Sequence, residues 1–229
     1  MVIPTYNERE NIETLLRRLF QLPGEFHVLV VDDASPDGTG ALLESVQGRY
    51  PRAHVLKRAG KYGLGSAYRE GFRYALERGA TSVGEMDADL SHKPEDLPRL
   101  LRELVKGADV VVGSRRVAGG GIEGWGPWRR FISSGATLAS RVVLGLKTHD
   151  ITAGFRLYGP RFLREVPWEH ITSNGYAWQE ETLCLAERAR LKVFEVPVLF
   201  SDRKEGSSKL SLKDVAEFFV TLLRLRFRA

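Results

Sequence analysis

The chain has 229 residues, a formal net charge of +5 and a single cysteine. One cysteine excludes an internal disulfide and a cysteine-built zinc site, and the five histidines lack the spacing of a histidine-built metal site. The hydrophobic fraction of 43% is ordinary for a globular protein, and no apolar run is long enough to span a bilayer. Polar residues directly after Pro4 also argue against a signal peptide. We therefore expect an intracellular protein that is soluble or bound to a membrane surface.

The first half of the chain alternates short apolar runs with amphipathic segments. The apolar runs predict strands at 2–3, 26–31, 53–56, 81–86 and 109–112. The amphipathic segments predict helices at about 9–20, 38–47, 66–78 and 95–106. This alternation predicts an α/β fold with a mostly parallel sheet and helices on both faces.

The pattern changes after residue 113. Residues 118–128 are rich in glycine and tryptophan and predict a mobile loop. An apolar segment with basic flanks follows at 129–146, and 150–160 predicts a turn region. The remaining elements are a helix at 178–189, a strand at 192–199 and a helix at 211–227. Because no linker or repeat interrupts the chain, we expect a single domain over 1–229.

Polar clusters follow four of the predicted strands, at 4–8, 32–38, 87–89 and 113–116. The carboxyl ends of parallel strands line one edge of a sheet, where ligands bind in open α/β folds. Each cluster alone is also typical of an ordinary loop. Together they place carboxylates and an arginine on one edge, which predicts a site for an anionic ligand held through a metal.

Asp87 and Asp89 are the most specific of these residues. Two carboxylates one residue apart repel each other unless a cation lies between them. Their hard oxygen atoms suit Mg²⁺ or Mn²⁺, which bind one or two carboxylates together with phosphate oxygens and water. The alternative is that Asp89 or Ser91 caps the helix that follows.

Two further segments each allow two interpretations. The glycine-rich residues 60–65 precede a helix and either bring its N-terminal amides near a ligand or form a tight turn. Residues 202–209 either close over a phosphate through Arg203 and Lys209 or form a solvated charged loop.

With these motifs in view, the chain resembles family 2 glycosyltransferases, and within them the dolichol-phosphate mannose synthases. The resemblance covers nearly the whole chain and depends on the order and spacing of its motifs. These are VIPTYNERENI, VVDDASPDGTG, KYGLGSAY, MDADLSHKPEDLP, DVVVGSRRV, the GW…RR loop, DITAGFRLY, GYAWQEE and DRKEGSSKL.

The resemblance implies a Rossmann-like domain of the glycosyltransferase-A type that transfers mannose from GDP-mannose to a polyprenyl phosphate, with Mg²⁺ or Mn²⁺. The residues that it assigns to the guanosine are Pro4, Tyr6, Glu8, Val31 and Asp33. Those that would line the rest of the donor site are Asp87, Ala88 and Asp89, with Asp89 as the main metal ligand. Some relatives have Gln where Ser91 stands. Since serine is shorter, water rather than Ser91 is expected to complete the shell.

The resemblance also assigns basic residues to the phosphates. Those for the donor are Arg115, Arg203 and Lys209. Charge makes Arg115, Arg129 and Arg130 the candidates for the acceptor phosphate, since this dianion must approach a carboxylate-rich site. The second pKa of a phosphate monoester is about 6, so the nucleophile is an anion near neutral pH and no dedicated general base is expected. A single displacement would invert the anomeric centre and give a β-linked product.

Because a polyprenyl phosphate lies in a membrane, we expect the protein to contact a membrane surface. The basic amphipathic segments 129–146 and 211–227 either lie in a membrane interface or pack against the protein's own sheet. We thus expect a nucleotide-sugar half over 1–113, an acceptor and membrane-interface half over 114–229, and a peripheral location on the cytoplasmic face of a membrane.

Two other functions stay open. One is a polyprenyl-phosphate glucosyltransferase that uses UDP-glucose on the same scaffold. The other is a non-catalytic module that binds lipid or nucleic acid, against which the Asp87 and Asp89 pair argues. The charge distribution also argues against nucleic acid, because basic residues exceed acidic ones by seven to three in 203–229 and by four to one in 113–130, while the rest is slightly acidic. No protein partner is indicated.

Overall fold

The computed structural model describes residues 1–173, 175–202 and 212–227, with side chains described except at 175–176 and 212–219. The strands are β1 (Val2–Thr5), β2 (Val28–Asp32), β3 (Ala53–Lys57), β4 (Val83–Glu85), β5 (Val110–Ser114), β6 (Gly121–Glu123), β7 (Arg156–Tyr158), β8 (Val193–Pro197) and β9 (Leu199–Ser201). The helices are α1 (Arg9–Phe20), α2 (Thr39–Gln47), α3 (Leu64–Glu77), α4 (Leu97–Val105), α5 (Pro127–Leu144), α6 (Pro160–Glu165), α7 (Gly175–Arg188) and α8 (Leu212–Phe227). Short 3₁₀ turns lie at Pro94–Asp96 and Trp168–His170.

A seven-stranded sheet in the order β3-β2-β1-β4-β7-β5-β8 forms the centre of the fold. All neighbouring strands run parallel except β7, which is antiparallel to both β4 and β5. The predicted mostly parallel sheet is therefore confirmed. Both predicted halves of the chain supply strands to it, and the single-domain assignment itself stays a prediction.

Helices cover both faces of the sheet, as the alternation of strand side chains requires. Val2 packs with Tyr68 and Phe72 of α3 in one cluster. Its neighbour Ile3 packs on the other face, in a cluster with Leu15 of α1. Strands that are buried on both faces explain the uninterrupted apolar runs of the sequence.

The main correction to the predicted elements is β7, which lies in the centre of the sheet where the sequence predicts a turn region. The strand has only three residues, and it begins with Arg156, a charged residue that a sequence pattern would predict to be exposed. Arg156 is fully buried because its guanidinium donates to the carbonyl oxygens of Ala153, Ile151 and Gln179. The bonds to Ala153 and Ile151 are local, but the bond to Gln179 and the ladders to β4 and β5 join residues far apart in the chain and leave no local signature in the sequence.

Two further differences concern the region beside β5. The segment 118–128, predicted as a mobile loop, contains β6, which pairs in parallel with β9. The predicted strand at 192–199 divides into β8, which belongs to the main sheet, and β9, which pairs with β6. The glycines of this segment permit close packing, since a Cβ at Gly124 would lie 2.8 Å from the Cβ of Asp202.

Both basic amphipathic segments form helices, and each exposes apolar side chains. On α8, Leu222 and Leu225 are buried while Val220, Leu223 and Phe227 are exposed. Packing against the protein therefore accounts for part of the apolar surface of this helix. Throughout the described residues, every helix is too short or too polar to cross a membrane.

Candidate active site

The predicted polar clusters meet at the carboxyl edge of the sheet, because β1, β2, β4 and β5 run in the same direction. Strand β7 runs the other way, so the segment before it, residues 150–155, reaches the same edge. It lies between the ends of β4 and β5 and separates them by roughly 10 Å, twice the usual strand spacing. The edge therefore has a carboxylate side after β4 and an arginine side after β5.

The residues assigned to the guanosine lie at the ends of β1 and β2. Pro4 and Val31 are direct partners in the parallel ladder, with Pro4 half-buried and Val31 fully buried. The ammonium of Lys61 lies 4.2 Å from the centre of the Tyr6 ring. The side chain of Glu8 accepts a hydrogen bond from Asn11 at 3.0 Å. The structure thus brings these predicted residues close together, and their binding role stays a prediction.

Asp33 is held by a buried arginine. The Arg58 guanidinium donates to Asp33 Oδ1 at 2.6 Å, and the backbone amide of Tyr62 donates to Oδ2 at 3.3 Å. Burial raises the pKa of the Asp33 carboxyl, although the charge of Arg58 opposes the shift. Within the glycine-rich segment 60–65, this amide faces a carboxylate of the protein itself, which favours the tight-turn interpretation for that part of the segment.

Asp89 lies at the centre of the carboxylate side and is buried. Its Oδ1 accepts hydrogen bonds from the Ser91 amide at 3.0 Å and the Ser91 hydroxyl at 2.5 Å. Ser91 therefore orients Asp89 through a local turn. The helix-capping alternative is wrong, since the 3₁₀ turn at Pro94–Asp96 and helix α4 have Lys93 and Asp96 at their N-caps. A turn that fixes the Asp89 carboxylate preorganises it for the predicted ligand role.

Asp87 is the more exposed carboxylate, with 33% of its side chain accessible, and the neighbouring Ala88 is buried. It lies against Gly154, where a Cβ would come within 3.0 Å of Asp87 Oδ2. A side chain at position 154 would therefore crowd the carboxylate, which would have to shift by a few tenths of an ångström.

The carboxylates of Asp87 and Asp89 fit a hard divalent ion such as Mg²⁺ or Mn²⁺. Within the described residues, no group of three or more acidic, histidine or cysteine side chains forms a metal site alone. The shell of an ion bound here would therefore depend on phosphate oxygens and water.

Arg115 is paired on the opposite side of the edge. Its Nε and Nη2 donate to the two oxygens of Asp150 at 2.7 and 2.6 Å, and Nη2 also donates to Thr152 Oγ1 at 2.9 Å. Burial alone would raise the pKa of Asp150, but the charge and hydrogen bonds of Arg115 outweigh it and hold this pKa below its ordinary value. The pair fixes the direction of the guanidinium and balances much of its charge.

Arg129 and Arg130 lie in the first turn of α5 and hold the preceding loop. The guanidinium of Arg129 lies 4.1 Å from the centre of the Trp125 ring and donates to Asp202 at 3.0 Å. Arg130 donates to the carbonyl oxygens of Trp125 at 3.1 Å and Ile122 at 2.5 Å. The structure therefore gives Arg130 a bond network within the loop, and its assignment to the acceptor phosphate stays a prediction.

Arg203 and Lys209 lie outside the described residues, so their assignment to the donor phosphates also stays a prediction. Asp202, directly before them, is placed by its backbone bond to Glu123 at 3.0 Å and by Arg129. Asp202, the last residue described before them, therefore lies next to the arginine side of the edge.

Three contacts at the edge were not predicted from the sequence. Arg58 follows β3, so the strand-end rule that found the other clusters also applies to it. Asp150 lies within the DITAGFRLY motif, but only the fold brings it to Arg115. His92 is buried with its Nε2 atom 3.5 Å from Asp87 Oδ2, and nothing local in the sequence marks that contact.

The family model described as "Glycosyl transferase family 2" matches residues 1–166. The chain belongs to this family. The carboxyl edge of the sheet is thus part of a glycosyltransferase. The predicted fold and enzyme class are confirmed.

Among curated relatives, this glycosyltransferase is 47% identical over 223 residues to the undecaprenyl-phosphate mannosyltransferase of Micrococcus luteus, covering 97% of this chain and 91% of that one. It is 45% identical over 219 residues to the polyprenol monophosphomannose synthase of Mycolicibacterium smegmatis, covering 95% and 82%.

Solved structures share the fold at low sequence identity. Glucosyl-3-phosphoglycerate synthase from Mycobacterium tuberculosis in complex with UDP has a TM-score of 0.69 and 19% identity, covering 98% of this chain and 78% of that one. The same protein with Mn²⁺, UDP-glucose and phosphoglyceric acid has a TM-score of 0.70 and 20% identity, with the same coverage. These likenesses establish the glycosyltransferase-A type of fold.

Proposed function

We propose that this glycosyltransferase transfers mannose from GDP-mannose to a polyprenyl phosphate in the presence of Mg²⁺ or Mn²⁺. The observation that carries the proposal is that α5 begins at the arginine side of the edge and exposes an apolar surface beyond it. A phosphate on a lipid chain is an acceptor that suits both features. The names of the two relatives, which specify mannose and a polyprenol phosphate, support the same acceptor. GDP as the nucleotide follows from the motif resemblance.

The amphipathicity of α5 is inverted with respect to a helix that packs on a core. The residues that it buries are polar, Thr137 and Ser140. Most of the large exposed ones are apolar, with accessible fractions of 71% for Trp128, 70% for Phe131 and 73% for Val142, although Arg130 is exposed on the same helix. Ile132 and Leu138 extend the same surface. Large exposed apolar patches mark interaction surfaces, and basic residues beside one favour an anionic membrane surface.

The donor diphosphate belongs at the carboxylate side in this proposal. Asp89, oriented by Ser91, and Asp87 would hold a divalent ion that neutralises charge on the departing nucleoside diphosphate. Arg203 and Lys209 would add positive charge to the same phosphates. The carboxylates alone would repel a diphosphate, so the proposal includes dependence on the ion.

The acceptor phosphate belongs at the arginine side. One of its oxygens would attack the anomeric carbon of mannose as the bond from that carbon to the GDP oxygen breaks, so GDP leaves with the electron pair. Arg115, directed by Asp150, and Arg129 would orient the attacking phosphate. The anionic nucleophile carries no proton that must be removed first, so the chain needs no general base. Attack opposite the leaving group inverts the centre and yields a β-linked mannosyl phosphate.

The membrane belongs to the proposal as well. With α5 and the exposed residues of α8 in the interface, the lipid tail stays in the membrane while its phosphate reaches the edge of the sheet. The cytoplasmic face of a membrane is the location that we propose.

The decisive experiment supplies radiolabelled GDP-mannose or UDP-glucose, a polyprenyl phosphate and Mn²⁺ or Mg²⁺, with EDTA as the metal control. We expect lipid-linked mannose from GDP-mannose only, no product with EDTA, and a β configuration from the one-bond carbon–hydrogen coupling of C1. Product from UDP-glucose alone would show that UDP-glucose, and not GDP-mannose, is the donor. Absence of product from both donors would contradict the proposal.

A further inference from the structure

Phe200 on β9 lies at the centre of a cluster that reaches both sides of the edge. Its ring meets the His92 ring edge-on, with centroids 5.2 Å apart, and the Trp125 ring edge-on at 5.7 Å. The guanidinium carbon of Arg115 lies 5.4 Å from its centre. Phe200 is half-buried and packs against neither of the two main core clusters.

On the carboxylate side, Phe200 contacts His92. The imidazole lies between Phe200 and Phe155, whose ring centroid is 5.5 Å away, and its Nε2 approaches Asp87 Oδ2 at 3.5 Å. Neither ring nitrogen of His92 makes a hydrogen bond within the part of the chain that the structure describes. Ring packing rather than hydrogen bonding therefore holds this imidazole against Asp87. The backbone adds a second link, from the Ser201 amide to the Ser91 carbonyl at 3.0 Å.

On the arginine side, Phe200 contacts Trp125. Trp125 also contacts the Arg129 guanidinium, which lies 4.1 Å from the centre of the indole. The indole Nε1 is buried and has no hydrogen-bond partner among the described residues, so the position of Trp125 also depends on packing. Edge-on aromatic contacts and cation–π contacts are directional, which aliphatic packing is not.

We propose that Phe200 is a positioning residue that sets the placement of Asp87 relative to Arg129 and Arg115, through His92 and Trp125. The proposal rests on the function proposed above, because those side chains there serve the donor and the acceptor. One ring supports groups on both sides of the reaction, so its loss affects donor and acceptor together. A residue that only fills space would affect stability alone.

The test compares Phe200→Leu, which keeps an apolar side chain but removes the ring, with Phe200→Tyr, which keeps the ring. Phe194→Leu is the matched control, since Phe194 lies on β8 with 48% of its surface exposed. Two quantities are measured for each: the Kd of Mn²⁺ in the presence of GDP, by electron paramagnetic resonance, and the KM for polyprenyl phosphate. We expect Phe200→Leu to raise both by about fivefold to tenfold, and the other two variants to stay within about twofold of the parent.

A double-mutant cycle examines whether the two sides act as a unit. The effect of Arg129→Lys on kcat/KM is measured in the parent protein and in Phe200→Leu. We expect the effect of Arg129→Lys to be at least about threefold smaller in Phe200→Leu than in the parent protein, because the effects of mutations at coupled residues are not additive. Additive effects, or a Phe200→Leu variant with lowered Tm but unchanged Kd and KM, would overturn the proposal.

If Phe200→Leu does not fold, His92→Leu tests the same support from its other end. It is expected to raise the Kd of Mn²⁺ with GDP, because His92 is the link between Phe200 and Asp87, and an unchanged Kd would overturn the proposal. The Kd measurement also separates this proposal from the proposed function. A raised Kd in a protein that transfers no mannose would support the positioning role while contradicting the mannosyl transfer.

Discussion

The guanidinium of Arg115 and the carboxylate of Asp150 form a buried bidentate pair, with 5% and 0% of their side chains exposed. The backbone amide of Arg115 donates to the same carboxylate at 2.9 Å. A charged side chain is tolerated in the protein interior only where an oppositely charged group pairs with it. The pair therefore explains how an arginine can lie at the end of a buried strand, and it predicts the cost of removing one partner.

Asp150→Asn should lower the free energy of unfolding by about 3–5 kcal/mol, because it leaves the Arg115 charge buried without its counterion. Urea denaturation followed by tryptophan fluorescence measures the change. Glu165→Gln is the control, since it breaks the exposed pair of Glu165 with Arg161 and should leave stability unchanged. An equally stable Asp150→Asn variant would contradict the importance of the pair.

Asp89→Asn should lower kcat/KM about 100-fold to 1000-fold at any metal concentration, because it removes charge from the proposed ion site. Ser91→Ala should cause a milder loss that added Mn²⁺ partly restores, since it only frees the Asp89 carboxylate to rotate. Initial rates over a Mn²⁺ titration distinguish the two patterns. Glu44→Gln, at an exposed carboxylate that pairs with Lys57, should retain full activity.

Glu85 should make stability depend on pH. Burial raises the pKa of this carboxyl from 4.5 to about 7, although Arg156 and the Trp178 indole, which donates to Oε1 at 2.6 Å, oppose the shift. A raised pKa means that the folded protein binds the proton more tightly than the unfolded chain. The Glu85 contribution to stability is therefore fully present below about pH 4.5 and is lost as the pH rises to about 7.

Glu85→Gln cannot ionise and keeps an oxygen for the Trp178 indole. Its stability relative to the parent protein should rise by about 3 kcal/mol between pH 4.5 and pH 7. Urea denaturation at intervals across this range measures the difference. Glu77→Gln, at an exposed position, should show no such trend. A constant difference between Glu85→Gln and the parent protein would mean that Glu85 is ionised throughout.

Phe131→Ser combined with Val142→Ser should weaken binding to liposomes that contain anionic lipid by about 100-fold, because two exposed apolar side chains leave the proposed interface. Co-sedimentation at several lipid concentrations measures the partition coefficient. Phe194→Ser removes an exposed apolar side chain from β8 instead and should bind like the parent protein. Equal binding by all three proteins would contradict the membrane role of α5.

Much of the donor side could be predicted from the sequence. Asp33 follows β2, whose apolar run is plain, and Asp87 and Asp89 follow β4, a weaker pattern that the sequence still predicts as a strand. The parallel direction of the two strands brings these residues to one edge. The arginine side was only partly predictable. Arg115 follows the same rule, but its partner Asp150 comes from a segment without a local strand pattern.

The sequence by itself determined the family, the order of most elements and the residues at the strand ends, because these depend on short-range periodicity and on motifs that are contiguous in the chain. Only the tertiary structure decided how those residues are held. The insertion of β7 between β4 and β5 brings Asp150 to Arg115 and Gly154 to Asp87. Phe200 meets His92 and Trp125 in the same way, across long separations in the chain. Buried charges and ring contacts of this kind depend on groups that meet only when the chain folds, so no local pattern records them.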